Sequence, residues 1–157
     1  MSNKMFLLVF SSLVLALNVY AYDEALASKM DKTFSKVTQK NMIKSKGKGV
    51  IENKELFKML RENKKFTFLD VRTEGEMAVL GLKTKNTLEI PLEHLFEKKN
   101  LDRLPTDELI VLVCHSGSRE KKAIMSLKML GFKNIRLMKG GLVGLAQGNT
   151  AKNAPLK

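Results

Sequence analysis

Leu109-Ile110-Val111-Leu112-Val113-Cys114-His115-Ser116-Gly117-Ser118-Arg119-Glu120 is the stretch whose reading decides the fold. Leu109 to Val113 is an unbroken aliphatic run, which reads as a strand covered on both faces, as in a parallel sheet. Cys114 stands at its carboxyl end. Small and polar residues with one glycine follow, and a helix then runs to about Leu130, stopped by Gly131. A buried strand, a tight loop and a helix in that order place any ligand at the carboxyl end of the strand.

The same alternation extends outward. Val50-Ile51 reads as a very short strand, and Asn53 as the cap of a helix to about Asn63 with Leu56, Phe57, Met59 and Leu60 inward. Phe66 to Val71 is an apolar strand, followed by a polar segment of some helical character from Arg72 to Gly81. Thr87 to Ile90 is a strand closed by Pro91. A short helix is expected over Leu92 to Glu97, and a connection over Leu101 to Glu108. Asn134 to Met138 is the last strand, and Gly140-Gly141 turns into the apolar segment Leu142 to Ala146. These elements predict an α/β fold. Its mostly parallel central sheet has about five strands with helices on both faces, in a domain over 48–147. Residues 148–157 read as a flexible tail.

Residues 22–47 read as one amphipathic helix with Leu26, Met30, Phe34, Val37 and Met42 on one stripe. Such a stripe packs on the body or on a second copy, so a homodimer is expected. Residues 1–21 have the layout of a secretory signal peptide: Lys4, the apolar run Phe6 to Leu17, then Val19-Tyr20-Ala21. The run is short for a membrane span of about 20 residues. Cleavage after Ala21 and a periplasmic or secreted location are expected.

The 157 residues suffice for one domain with a core, and 44% hydrophobic with 28% charged residues is ordinary for a globular chain. The net charge of +12 is compatible with an anionic partner. An exported chain without interleaved basic and aromatic residues argues against nucleic acid and for a small anionic substrate. Cys114 is the only cysteine, so no intrachain disulfide forms. A free thiol outside the cytoplasm has to be buried or used. The polar loop after Cys114 favours use. Its backbone N–H groups, from His115, Ser116, Gly117, Ser118 and Arg119, can curl around one point, and the helix that follows adds its positive end. A thiolate there is stabilised and nucleophilic. The two histidines and the lone cysteine show no metal-ligand spacing.

Cys114-His115-Ser116-Gly117-Ser118-Arg119 resembles the Cys-x-x-Gly-x-Arg loop of rhodanese-like domains. Leu69-Asp70-Val71-Arg72, with Glu74 and Glu76 after it, resembles a second signature of that family. Ile90-Pro91-Leu92, Gly131-Phe132 and Gly140-Gly141 are similar to further elements, in the right order from Val50 to Ala146. The usual Gly-His-Ile-x-Gly-Ala before Ile-Pro is absent, and Leu145 lies near the place of a common Trp. Within the family, the export signal, the N-terminal helix and the single cysteine look most like periplasmic polysulfide–sulfur transferases.

The resemblance implies a sulfurtransferase that moves sulfane sulfur from polysulfide or thiosulfate to a thiol, cyanide or protein acceptor through a Cys114 persulfide, without metal or organic cofactor. Arg119 would orient the loop or the donor, Arg72 would hold the anionic donor at the same mouth or form a structural salt bridge, and Asp70 would tie strand to loop. A loop one residue shorter than in phosphatases of this fold favours sulfur over phosphate. A non-enzymatic sulfur carrier for one protein partner and a phosphatase or arsenate reductase are the alternatives.

Overall fold

The apolar runs form strands, and among the described residues all of them pair in parallel. The computed structural model describes residues 22–45 and 48–155. The expected signal peptide at 1–21 and the glycine-marked end of the N-terminal segment at residues 46 and 47 lie outside the described residues. Strands β1 (Val50–Ile51), β2 (Phe66–Asp70), β3 (Thr87–Glu89), β4 (Leu109–Val113) and β5 (Ile135–Met138) hydrogen-bond in the order β1-β5-β4-β2-β3. The chain moves one way along the sheet from β2 to β3 and the other way from β4 to β5. The β2/β4 boundary is therefore the switch point, where the loops leaving the two strands part and open a crevice. The register Asp70↔Val113 starts both loops at the same level.

Alternate residues of the central strands feed opposite faces, as the pleat requires. Leu69, Val71, Ile110, Leu112 and Cys114 pack in one core cluster with Ala123, Ile124 and Leu127. Phe66, Phe68, Val111 and Val113 pack in the other with Leu56 and Leu142. The helices are α1 (Glu24–Phe34), α2 (Gln39–Ser45), α3 (Asn53–Arg61), α4 (Glu74–Val79), α5 (Lys98–Leu101), α6 (Ser118–Leu130) and α7 (Gly141–Gly148). Leu127 and its neighbours bring α6 to the first face, and Leu56 and Leu142 bring α3 and α7 to the second.

The expected single N-terminal helix is two. Between α1 and α2, Asn41 donates its backbone N–H to Thr38 Oγ1 and its side-chain amide to Lys36 O. Such local side-chain bonds compete with the helical ladder. Leu26, Met30 and Phe34 remain about half exposed, while Leu26 and Lys29 share a shallow hollow with Phe96, Met129 and Leu130. The helix expected over Leu92 to Glu97 is a run of tight turns, with His94 N–H on Pro91 O and Glu97 N–H on His94 O, and the helical turn comes later as α5. Asn53 is inside α3 rather than its cap. It donates instead to Gly144 O of α7 at 2.6 Å, a tertiary bond that outweighs the local one. The segment after Gly140 is the helix α7, and Arg61 anchors the following turn through Asn153 O at 2.8 Å.

Candidate active site

The loop leaving β2 is fixed from within. Asp70 and Arg72 are 0% and 2% exposed at their side chains. Arg72 Nε donates to both Asp70 oxygens at 3.0 Å and Nη2 donates to Oδ2 at 2.7 Å. Its backbone N–H also reaches Asp70 Oδ1. Nη2 donates further to Leu80 O at 2.6 Å, and Nη1 to Glu76 O at 3.4 Å. Those carbonyls belong to α4 and its end, so the buried guanidinium fastens α4 beneath the carboxyl end of β2. Of the two places expected for Arg72, the mouth of the cysteine loop and a structural salt bridge, it takes the second and lies inside, with its donors occupied by the protein. Asp70 has the tying place expected for it.

The loop leaving β4 is built around sulfur. Cys114 is 1% exposed, and its Sγ accepts the Gly117 N–H at 3.0 Å. Of the loop amides expected to face the sulfur, this is the one that makes the bond. It requires Gly117 at φ +104, a left-handed conformation that suits glycine. Gly117 caps α6, whose N-terminal end therefore faces the sulfur. His115, Ser116 and Ser118 are exposed, and Gly117 is buried. A second clamp comes from α7: Leu142 N–H donates to Cys114 O at 2.8 Å and Val143 N–H to His115 O at 3.1 Å. A Cβ on Gly141, itself at φ +58, would stand 2.6 Å from Cys114 O. The double glycine is what lets α7 start against the cysteine loop.

Beneath the loop lies Glu120, fully buried. Its Oε2 accepts the Cys114 N–H at 3.1 Å, while Oε1 has no hydrogen-bond partner. Burial pushes its carboxyl up to about 7, against the Cys114 N–H and Lys121, which favour the charged form. Sequence reasoning did not single out Glu120. A Glu in the first turn of α6 reads as an ordinary partner of the helix dipole, and its burial depends on how α6 docks.

Arg119 joins the two loops. Its Nη1 and Nη2 pair with Glu76 Oε2 and Oε1 at 2.5 and 2.6 Å. The Arg119 hydrogen bond above all, then the Thr73 N–H, holds the Glu76 carboxyl well below the usual carboxylate range. Glu76 is also half of a capping box with Thr73 that starts α4. Glu76 keeps Arg119 firmly protonated, and Cys114 and Asp70 add smaller contributions in the same direction. The site thus brings Cys114, Gly117 and Arg119 together with Glu76 and Glu120, and leaves Arg72 behind them. His94 lies elsewhere, exposed and paired with Glu97.

The model of the Rhodanese-like domain family matches residues 52–147. A sulfurtransferase of Allochromatium vinosum is 27% identical over 97 residues, covering 62% of this chain and 87% of that protein. The probable adenylyltransferase/sulfurtransferase MoeZ of Mycobacterium tuberculosis is 29% identical over 97 residues, again 62% of this chain, but the match spans only 24% of MoeZ. Among solved structures, a rhodanese-related protein from Thermoplasma volcanium superposes with a TM-score of 0.54 at 27% identity, over 68% of this chain and 94% of that one. Sheet order, cysteine loop and family match agree, and the chain belongs to the rhodanese-like domain family.

Proposed function

We propose that this chain is an exported sulfurtransferase that carries sulfane sulfur on Cys114 from a small anionic donor, polysulfide or thiosulfate, to a thiol, cyanide or protein acceptor. The observation that carries the reading is Cys114 Sγ held by the Gly117 N–H at the carboxyl end of β4.

 Arg119 is held in place by Glu76 and lends its positive charge to the cysteine from there. The relatives named sulfurtransferases and the expected signal peptide support the reading from two further sides.

In the first step the Cys114 thiolate attacks the terminal sulfur of the donor. A Cys114 S–S bond forms, the donor's terminal S–S bond breaks, and sulfite or a polysulfide shortened by one sulfur leaves. The persulfide anion stays under the Gly117 N–H and the α6 N-terminus, which stabilise negative charge at the outer sulfur. In the second step the acceptor attacks that sulfur and the thiolate is released, as in thiol–disulfide exchange. Thiosulfate:cyanide and polysulfide:cyanide assays test the reading. Wild type turns over and Cys114→Ser does not; equal rates in the two proteins would refute it. Mass spectrometry after polysulfide treatment is expected to show an adduct of about 32 Da, one sulfur, on wild type alone. Association of two copies through the Leu26, Met30 and Phe34 stripe belongs to the same proposal, and light scattering on the mature chain checks it.

A further inference from the structure

Glu120 is a buried carboxyl that the sulfur-transfer chemistry does not use, yet both of its oxygens abut the residues that frame the sulfur. Oε2 accepts the Cys114 N–H, and Sγ is three covalent bonds from that nitrogen. Oε1, buried and unpartnered, lies 3.3 Å from where a Cβ of Gly117 would be, and Gly117 donates the N–H that holds Sγ. We propose that Glu120 is a positioning residue that governs when Cys114 can carry its charge: the protonated carboxyl braces the loop around an anionic sulfur, and the ionised carboxylate opposes it. The proposal rests on the sulfur-transfer reading and adds its pH dependence.

The charged groups around Glu120 leave this conflict unsettled. From its own helix come Lys121, which favours the carboxylate, and Arg119, which is taken up by Glu76 of α4. From the loop after β4 comes Cys114 itself, with the exposed His115 beside it. At the end of β2, Asp70 is paired with Arg72. Helix α7, which clamps the loop, carries no ionisable side chain, and Lys139 just before it pairs with Glu52. No buried cation is therefore offered to Glu120 by these elements. A carboxylate buried against the loop that frames the sulfur opposes negative charge there. The productive state keeps a proton on Glu120 and leaves the sulfur anionic. Its O–H then gives Oε1 a donor to turn toward the loop.

Loading conserves this balance. The Cys114 thiolate displaces the terminal sulfur of tetrasulfide, the donor's S–S bond breaks, trisulfide leaves, and one negative charge remains on the cysteine side chain. Removal of the Glu120 proton at higher pH puts two negative charges in the loop and repels the dianionic donor. The wild-type loading rate is therefore bell-shaped in pH.

The test is single-turnover loading of Cys114 by inorganic tetrasulfide, quenched and read by mass spectrometry across pH, on wild type and Glu120→Gln. Gln keeps an oxygen for the Cys114 N–H and cannot ionise. We expect Glu120→Gln to keep the ascending limb and lose the descending one, so that its rate relative to wild type rises about tenfold from about pH 6 to about pH 9. Profiles of the same shape, displaced by a constant factor, would overturn the proposal, because a merely structural role changes the rate and not its pH dependence. The infrared band of the Glu120 carboxylic acid gives a second readout on the wild-type protein alone. Its loss with rising pH is expected to coincide with the descending limb of the loading rate, and a band that titrates elsewhere also overturns the proposal. Wild type that never gains the adduct sinks the sulfur-transfer reading itself; an adduct with parallel profiles sinks only the role of Glu120.

Discussion

The loops that leave β2 and β4 start side by side and solve the same problem in opposite ways. Each has a fully buried carboxyl beside it, Asp70 at the end of β2 and Glu120 in the first turn of α6. Asp70 is neutralised by the guanidinium of Arg72, which also satisfies carbonyls of α4. Glu120 has one backbone N–H and an unpartnered oxygen, and its burial favours a proton in place of a counter-ion. In the first loop the buried charges are met internally. The second keeps unmet polar capacity next to a thiol. The Glu76–Arg119 pair, partly exposed, is the bridge between the fixed loop and the reactive one.

The comparison breaks first at Asp70. Asp70→Ala leaves Arg72 charged and buried without its partner, which should cost about 3–5 kcal/mol of stability; chemical denaturation measures it, and a loss near zero would show that the pair does not hold the loop. Glu120→Gln should act in the other direction and only at higher pH. The folded carboxyl titrates at about 7 and the unfolded one at 4.5. Because the folded value is raised, the stability present below the unfolded value is lost as pH rises from 4.5 through about 7. Replacing the carboxyl with a neutral amide should then stabilise the protein by about 3 kcal/mol above neutrality and by little in acid. Melts in acidic and mildly alkaline buffer check the sign, and a gain that does not depend on pH would remove the contrast with Asp70.

Gly141→Ala tests the clamp on the second loop. The new Cβ meets Cys114 O at 2.6 Å in a left-handed backbone, so a loss of about 2 kcal/mol is expected, together with slower loading of Cys114 as the loop shifts. The smallest effect is expected at the bridge. Glu76→Gln weakens a pair whose side chains are about 30% exposed, and solvent screening should keep the change in stability under about 1 kcal/mol. A loss as large as that of Asp70→Ala would mean that the bridge is as structural as the buried pair.

Much of this was legible in the sequence. Leu109 to Val113 could bury only as a central strand, and the glycines at 117 and 141 mark turns and close approaches that no other residue makes without strain. Less legible were positions whose roles are set by which groups the fold brings to them. Asn53 looked like a cap because local pattern cannot see Gly144. For Arg72 the sequence allows a donor-binding place or a salt bridge, and only the docking of α4 puts Leu80 O beside Asp70 on its guanidinium.

By itself, then, the sequence determined the alternation of strands and helices, the place of Cys114 at a strand end and the spacing to Arg119, since these follow from local periodicity and chain geometry. Only the tertiary structure decided which of two arginines faces the loop, that α7 clamps the cysteine carbonyl and that Glu120 is shut in beneath the sulfur. Those outcomes depend on which surfaces α4, α6 and α7 bury together, and burial and the long-range partners it brings set the state of a charge.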